Sequence, residues 1–249
     1  MPGTQFDVTT PDGTMDCLEF LPSGKGPWPG VVLFPDAFGV RPAMQAMAQR
    51  LCSAGYAVVL PNVLYREGKF APFDAATAFT NPPERERLMK MVLKLDEKAF
   101  KRDTGAMLDA FTKRPSVKTP LGVVGYCLGG RLATLAAGLF AERVAAAASI
   151  HGGHLVKEGP ESPHIVATRA RAKLYFAVAD NDRSCTKEDA AKLDDTLDQA
   201  NIRFEIEHYE GAAHGFAVKD FPVYNEEASE KHWVKVLALF KGVLQRSAA

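Results

Sequence analysis

Along this chain, short unbroken apolar runs alternate with longer stretches in which apolar residues recur at helical spacing. Gly30–Pro35, Tyr56–Leu60, Leu121–Val124, Val144–Ile150, Ala172–Ala179 and Phe204–Tyr209 are the short runs. Apolar on consecutive positions and bounded by turn residues, such runs read as strands buried on both faces of a parallel sheet. Between them the period lengthens. Pro42–Ala54 carries Met44, Met47, Ala48 and Leu51 on one face and stops at Gly55. A long helix is predicted from near Glu84 to Phe111, with or without a break. Further helices are predicted over Leu132–Ala137, over Lys187–Ala200 and over Asn225–Gln245, the last with an apolar face of Trp233, Val236, Leu237 and Phe240. Near the N-terminus, Phe6–Thr9 and Met15–Leu21 flank Pro11-Asp12-Gly13, the pattern of a β-hairpin.

Strands alternating with helices predict an α/β fold, a mostly parallel sheet covered by helices on both faces. No interval resembles a flexible linker, so residues 1–249 read as one domain. Residues 62–83 are irregular and rich in proline and aromatics, and read as a loop or small lid; residues 155–171 read as loop with some helix.

Composition narrows the function. Lys plus Arg and Asp plus Glu each total 30, so the formal charge is zero. No basic block suggests nucleic acid. No signal-like N-terminus and no membrane-length apolar run is present, so no membrane partner is expected and a cytoplasmic location is the default reading. The four cysteines, Cys17, Cys52, Cys127 and Cys185, include no Cys-x-x-Cys pair, which argues against a zinc ribbon or a dithiol redox motif. Free thiols are expected in a reducing compartment, and Cys17, Cys52 and Cys185 read as structural.

Cys127 stands apart. Gly125-Tyr126-Cys127-Leu128-Gly129-Gly130 follows an apolar strand and precedes a helix of small residues. This is the thiol form of the Gly-x-Ser-x-Gly nucleophile elbow, a strained strand-to-helix turn that exposes the nucleophile. A Cβ at Gly125 or Gly129 would collide with the neighbouring helix or strand. At a helix N-terminus the thiol would be biased towards thiolate. A thiol hydrolase also needs a base and a carboxylate that orients it, met along the chain in the order nucleophile, acid, histidine. Asp180-Asn181-Asp182 follows one late strand and His214 follows the next, at the strand ends where α/β sheets place their sites.

These pieces together, with Pro35-Asp36-Ala37-Phe38-Gly39 after an early strand and His214-Gly215-Phe216 before the last helix, resemble the dienelactone hydrolase family of α/β-hydrolases, from about Gly30 to the closing helix. The resemblance implies an α/β-hydrolase fold, Cys127 as nucleophile and His214 as base. It favours Asp182 as the acid, since Ala179 lies three residues before it, with Asp180 as the alternative. It implies an oxyanion hole from the backbone N–H groups of Leu128 and Ala37. It gives Asp36, where the family commonly has glutamate, an auxiliary role on the resting cysteine, against a plain turn role. His151, at the end of an apolar strand, is a further auxiliary candidate for the pocket. Family members that cleave dienelactone bind its carboxylate with arginines, one shortly after the histidine; here that stretch reads Ala217-Val218, which favours a neutral or different ester. Arg41 and Arg131, beside motif residues, are candidate ion-pair partners, and Arg85 and Arg87 could lend charge from the lid region. Phe38, Tyr65, Phe70, Phe73, Phe79 and Phe216 are candidates for an apolar pocket wall.

No metal or cofactor is expected, because His151-Gly152-Gly153-His154 lacks a third ligand. His164, His208 and His232 read as surface or structurally satisfied. The expected partner is a small-molecule ester or lactone, cleaved through an acyl-thioester, by a monomer or weak homodimer. The competing readings are a broad carboxylesterase or thioesterase with no dienelactone role, and a non-catalytic thiol sensor on the same fold.

Overall fold

A computed structural model describes residues 3–245. The predicted hairpin is β1 (Thr4–Thr10) and β2 (Gly13–Phe20), in antiparallel register with Phe6 opposite Cys17. Then come β3 (Trp28–Phe34), α1 (Pro42–Ser53), β4 (Ala57–Pro61), α2 (Pro82–Leu93), α3 (Glu97–Thr112), β5 (Val117–Tyr126) and α4 (Leu128–Leu139). The chain continues through β6 (Val144–Ile150), α5 (Pro163–Ala167), β7 (Lys173–Ala179), α6 (Lys187–Gln199), β8 (Phe204–Tyr209) and α7 (Glu226–Leu244). The eight strands form one sheet in the order β1-β2-β4-β3-β5-β6-β7-β8. The strands from β4 to β8 are all parallel to one another, and β2 joins β4 antiparallel.

The sheet is buried on both faces, which is why its central strands are apolar without alternation. Val32 and Val123 sit in the core layer under α3 and α4, whereas Val31, Val124 and Ala148 sit in the layer under α1 and α7. β3, β5 and β6 lie side by side, so the loops after β3 and β5 open next to each other.

The structure departs from the sequence expectations at element ends. Residues 82–111 form two helices. The first begins at Pro82, whose missing N–H costs nothing in a first helical turn. The break falls at Lys94–Asp96, and the Asp96 side chain caps α3 by accepting from the Ala99 N–H at 2.7 Å. The elbow strand starts earlier, at Val117, and its helix begins immediately after Cys127. On α7, Leu237 is only partly buried, and His232, expected to be surface or structurally satisfied, is fully buried and bonded to Tyr126 at 3.2 Å.

Candidate active site

Cys127 lies between β5 and α4 with φ 54° and ψ −114°, a left-handed backbone that is rare for a residue carrying a Cβ. Such strain is of order 1–3 kcal/mol and persists only where the surroundings enforce it. Here they do. A Cβ on Gly125 would lie 1.9 Å from the Gly129 carbonyl oxygen, and one on Gly129 would lie 2.2 Å from that of Phe34. The start of α4 is thus pressed against both β5 and the end of β3, and the turn has no room to relax. The Cys127 N–H is shared between the carbonyl of Ile150, at 3.1 Å, and Nδ1 of His151, at 3.2 Å. Cys127 is half-buried, whereas Cys17, Cys52 and Cys185 are buried. Burial pushes the thiols of Cys17 and Cys185 up to about 12, which keeps both protonated and unreactive.

His214, in the loop after β8, meets Asp182, in the loop after β7. Its Nδ1 lies 2.6 Å from Asp182 Oδ2, and the ring is close enough to the Cys127 side chain to interact with it. Burial works against a charged imidazole here. The Cys127 charge, the bond to Asp182 and the contact with Cys127 outweigh it and raise His214 to about 10. For Asp182 burial acts upwards, but the contacts with His214 and Ser184 hold its carboxyl below the usual range. Asp180 takes no part. It accepts from the Gly211 N–H at 3.2 Å and pairs loosely with Lys187.

Ser184, which sequence reading did not single out, completes the support. Its N–H and its hydroxyl each donate to Asp182 Oδ1 at 2.7 Å, and the hydroxyl lies 3.2 Å from His214 Nδ1. Its signal was present as Asp-x-Ser, the spacing at which an aspartate accepts from the N–H two residues on.

The loop after β3 explains which backbone donors remain. Asp36 Oδ1 accepts from the Phe38 N–H at 2.9 Å, and the Asp36 carbonyl accepts from the Gly39 N–H at 3.0 Å. The N–H of Ala37, just before these two donors, finds no protein acceptor among the described residues, and neither does that of Leu128, the first residue of α4. Asp36 itself is buried, and both its oxygens are engaged by Arg41, at 2.7 and 2.9 Å. Arg41 also binds Asp220 through two bonds, at 2.7 and 2.9 Å, tying the loop after β3 to the segment before α7. Despite its burial, Arg41 is held firmly protonated by Asp220 and Asp36.

His151 lies beneath the elbow, 1% exposed, with its ring 5.2 Å from that of His214. Burial first, then the charges of His214 and His232, drive its pKa well below the ordinary value. A neutral ring accepting at Nδ1 carries its proton on Nε2, a buried atom with no partner among the described residues. His164 is also buried and bonds Ser162 at 2.6 Å.

The predicted aromatic wall is partly present. Phe38 packs against Phe73, Phe79 and Phe221, with ring centroids 5.3 to 5.7 Å apart, and Arg87 stacks 3.7 Å over Phe73. Tyr65 instead bonds Thr10 and Asp103, and Phe216 stacks under the site on Tyr209. Among the described residues, no group of His, Cys, Asp and Glu is placed to hold a metal ion, and no helix is long and apolar enough to cross a membrane.

Comparison with known proteins places the chain among relatives of one family. A family model described as the dienelactone hydrolase family matches residues 15–244. A carboxymethylenebutenolidase from Pseudomonas putida is 27% identical over 194 residues, covering 78% of this chain and 77% of its own. The dienelactone hydrolase of Anabaena variabilis superposes with a TM-score of 0.70 at 19% identity, over 98% of this chain and all of the other. A dienelactone hydrolase-like promiscuous phosphotriesterase from metagenomic libraries gives 0.78 at 22% identity, over 98% and 99%. The likeness to these two structures is one of fold.

Proposed function

Because the chain belongs to the dienelactone hydrolase family, a family of carboxylic ester hydrolases, we propose that it cleaves small lactones or activated esters with Cys127 as nucleophile, His214 as base and Asp182 as the carboxylate that orients it. The observation that carries this reading is the continuous line from Asp182 Oδ2 to His214 Nδ1 at 2.6 Å and through the ring to Cys127, which stands on a backbone it would not otherwise adopt.

The Cys127 thiolate attacks the acyl carbon, and the developing oxyanion is held by the N–H groups of Leu128 and Ala37. The acyl carbon–oxygen bond breaks, and the leaving oxygen takes the proton held by His214. In a lactone that oxygen stays tethered to the acyl group. Water then attacks the acyl-thioester while His214 removes its proton, and the carbon–sulfur bond breaks to release the acid and restore the thiolate. Asp36, held by Arg41, acts as a positioning residue: its carboxylate takes the Phe38 N–H and its carbonyl the Gly39 N–H, which fixes the turn with the Ala37 N–H left free for substrate.

A second reading, a carboxylesterase for neutral esters, is favoured by Val218. It is fully buried, and none of Gly215, Phe216, Ala217 and Val218 carries a side chain that could hold a carboxylate. Turnover of p-nitrophenyl acetate and of a dienelactone by wild type and Cys127→Ala tests both. Hydrolysis by wild type and not by the variant supports the thiol mechanism, and the preferred substrate chooses between the readings. Full activity in Cys127→Ala refutes it.

A further inference from the structure

His151 is the first residue after β6, and the turn it opens is laced to the elbow. The Cys127 N–H reaches the Ile150 carbonyl, and the Cys127 carbonyl accepts from the Gly153 N–H at 3.4 Å. Within this turn His151 has a φ of 37°, the left-handed region that a residue with a Cβ seldom enters. Its own N–H donates to the Ala177 carbonyl at 2.8 Å, so β7 holds the backbone in that posture. Two residues in this region, Cys127 and His151, are thus joined by a hydrogen bond, from the Cys127 N–H to His151 Nδ1 at 3.2 Å. Such conformations persist only where the surroundings over-determine them.

The His151 ring lies among those of Tyr126, His214 and Phe216, at centroid distances of 6.0, 5.2 and 5.2 Å. Burial and the charges of His214 and His232 keep it neutral. The bond depends on that. A charged imidazole carries a proton on both nitrogens and would turn Nδ1–H against the Cys127 N–H. An aliphatic side chain would fill the same space but offer no acceptor, so apolar packing alone does not call for a histidine here. With Ile150 as one acceptor and Nδ1 as the other, the Cys127 N–H is held between two fixed points. Its peptide plane is thereby fixed, and with it the direction of the Cα–Cβ bond that carries the sulfur.

We propose that His151 is a positioning residue for the hydrolysis: its Nδ1, as an acceptor, fixes the Cys127 peptide and so aims the sulfur at the acyl carbon and at His214. This rests on the hydrolase reading above. His151 acts through the elbow and not on the substrate.

Three variants separate the bond from the space and from the backbone. His151→Asn keeps an acceptor at the δ position and tolerates a left-handed backbone. His151→Leu matches asparagine in size without an acceptor, and His151→Gly tolerates the backbone without an acceptor. For each, urea unfolding first establishes that it folds, and whichever acceptor-free variant folds carries the comparison. Then kcat and KM on p-nitrophenyl acetate are measured, with the rate at which iodoacetamide alkylates Cys127, which depends on the pairing of the sulfur with His214. Losing one neutral hydrogen bond should lower kcat and the alkylation rate about three- to tenfold in His151→Leu and His151→Gly at unchanged KM, with His151→Asn within about twofold of wild type. A residue that only fills space predicts the reverse order, leucine being better tolerated than a buried amide. Wild-type rates without the acceptor, or a fall in His151→Asn equal to that of the other two, overturn the assignment. Nitrogen-15 spectra of histidine-labelled wild type check the bond itself: a proton on Nε2 and none on Nδ1 upholds it, and a proton on Nδ1 overturns it. If wild type turns over no ester, the hydrolase reading falls by itself, and the alkylation order and the tautomer still decide whether His151 aims the sulfur.

Discussion

Replacing Arg41 by methionine keeps an unbranched apolar stem and removes the guanidinium and its charge. Asp36 is 1% exposed, and its carboxylate is satisfied by two bonds from Arg41, at 2.7 and 2.9 Å, and one from the Phe38 N–H. Without Arg41 a single backbone donor remains for a buried charge. Removing one partner of such a pair costs about 3–5 kcal/mol. Asp220, the other partner, has a side chain 38% exposed and is resolvated by water, so its share is about 0–1 kcal/mol. Urea unfolding at neutral pH should therefore show Arg41→Met destabilised by about 3–5 kcal/mol at unchanged m-value, and Asp220→Asn by no more than about 1 kcal/mol. Asp36→Asn combined with Arg41→Met removes the orphaned charge while keeping an acceptor for Phe38, and should recover most of the loss. If Arg41→Met costs less than about 1 kcal/mol, or the double variant is no more stable than the single one, the account of this loop is wrong.

Other expectations follow from the same geometry. Gly129→Ala places a methyl 2.2 Å from one carbonyl oxygen and 2.6 Å from another, so it should abolish turnover and yield little folded protein; Gly242→Ala in α7 meets nothing within 4 Å and should raise stability by about 0.5–1 kcal/mol in the same unfolding assay. Asp182→Asn should lower kcat on p-nitrophenyl acetate by about ten-thousandfold, and a loss under tenfold would remove Asp182 from the role given to it. His214 is raised from 6.5 to about 10, so its contribution to stability is complete below pH 6.5 and is lost as pH climbs towards 10. Cys127→Ala takes away part of what raises it, so in a Tm series across that window the decline should be smaller and should end at lower pH than in wild type.

What could be read from the sequence was what short-range sterics dictate. The elbow was legible because its glycines answer to backbone atoms a few residues away or on the adjacent strand. The strands were legible because burial on both faces leaves no polar position. The hairpin followed from its turn. By contrast, the start of α2 at Pro82 was blurred by proline's two habits, breaking helices and opening them. Arg41 stood out only as lying beside a motif. Its second partner, Asp220, is remote in sequence, and nothing local to either residue signals the pairing. His232 read as surface or structural because one histidine on a helix carries no label; the structure takes the second alternative and buries it against Tyr126. The pairing of Asp182 with His214 was inferred from strand order, but the part played by Ser184 required the side-chain geometry.

The line from Asp182 through His214 to Cys127 also has a consequence in time. The nucleophile and its strained turn belong to the middle of the sheet, whereas the acid and the base hang from β7 and β8, the last strands to leave the ribosome. Parallel strands pair only after long crossovers close, so these contacts form late in any folding order. During synthesis or refolding the cysteine is therefore present as an ordinary thiol before any imidazole reaches it. The growing chain passes through an interval in which its future nucleophile is chemically quiet, and esterase activity in a refolding experiment should lag behind the recovery of helix content.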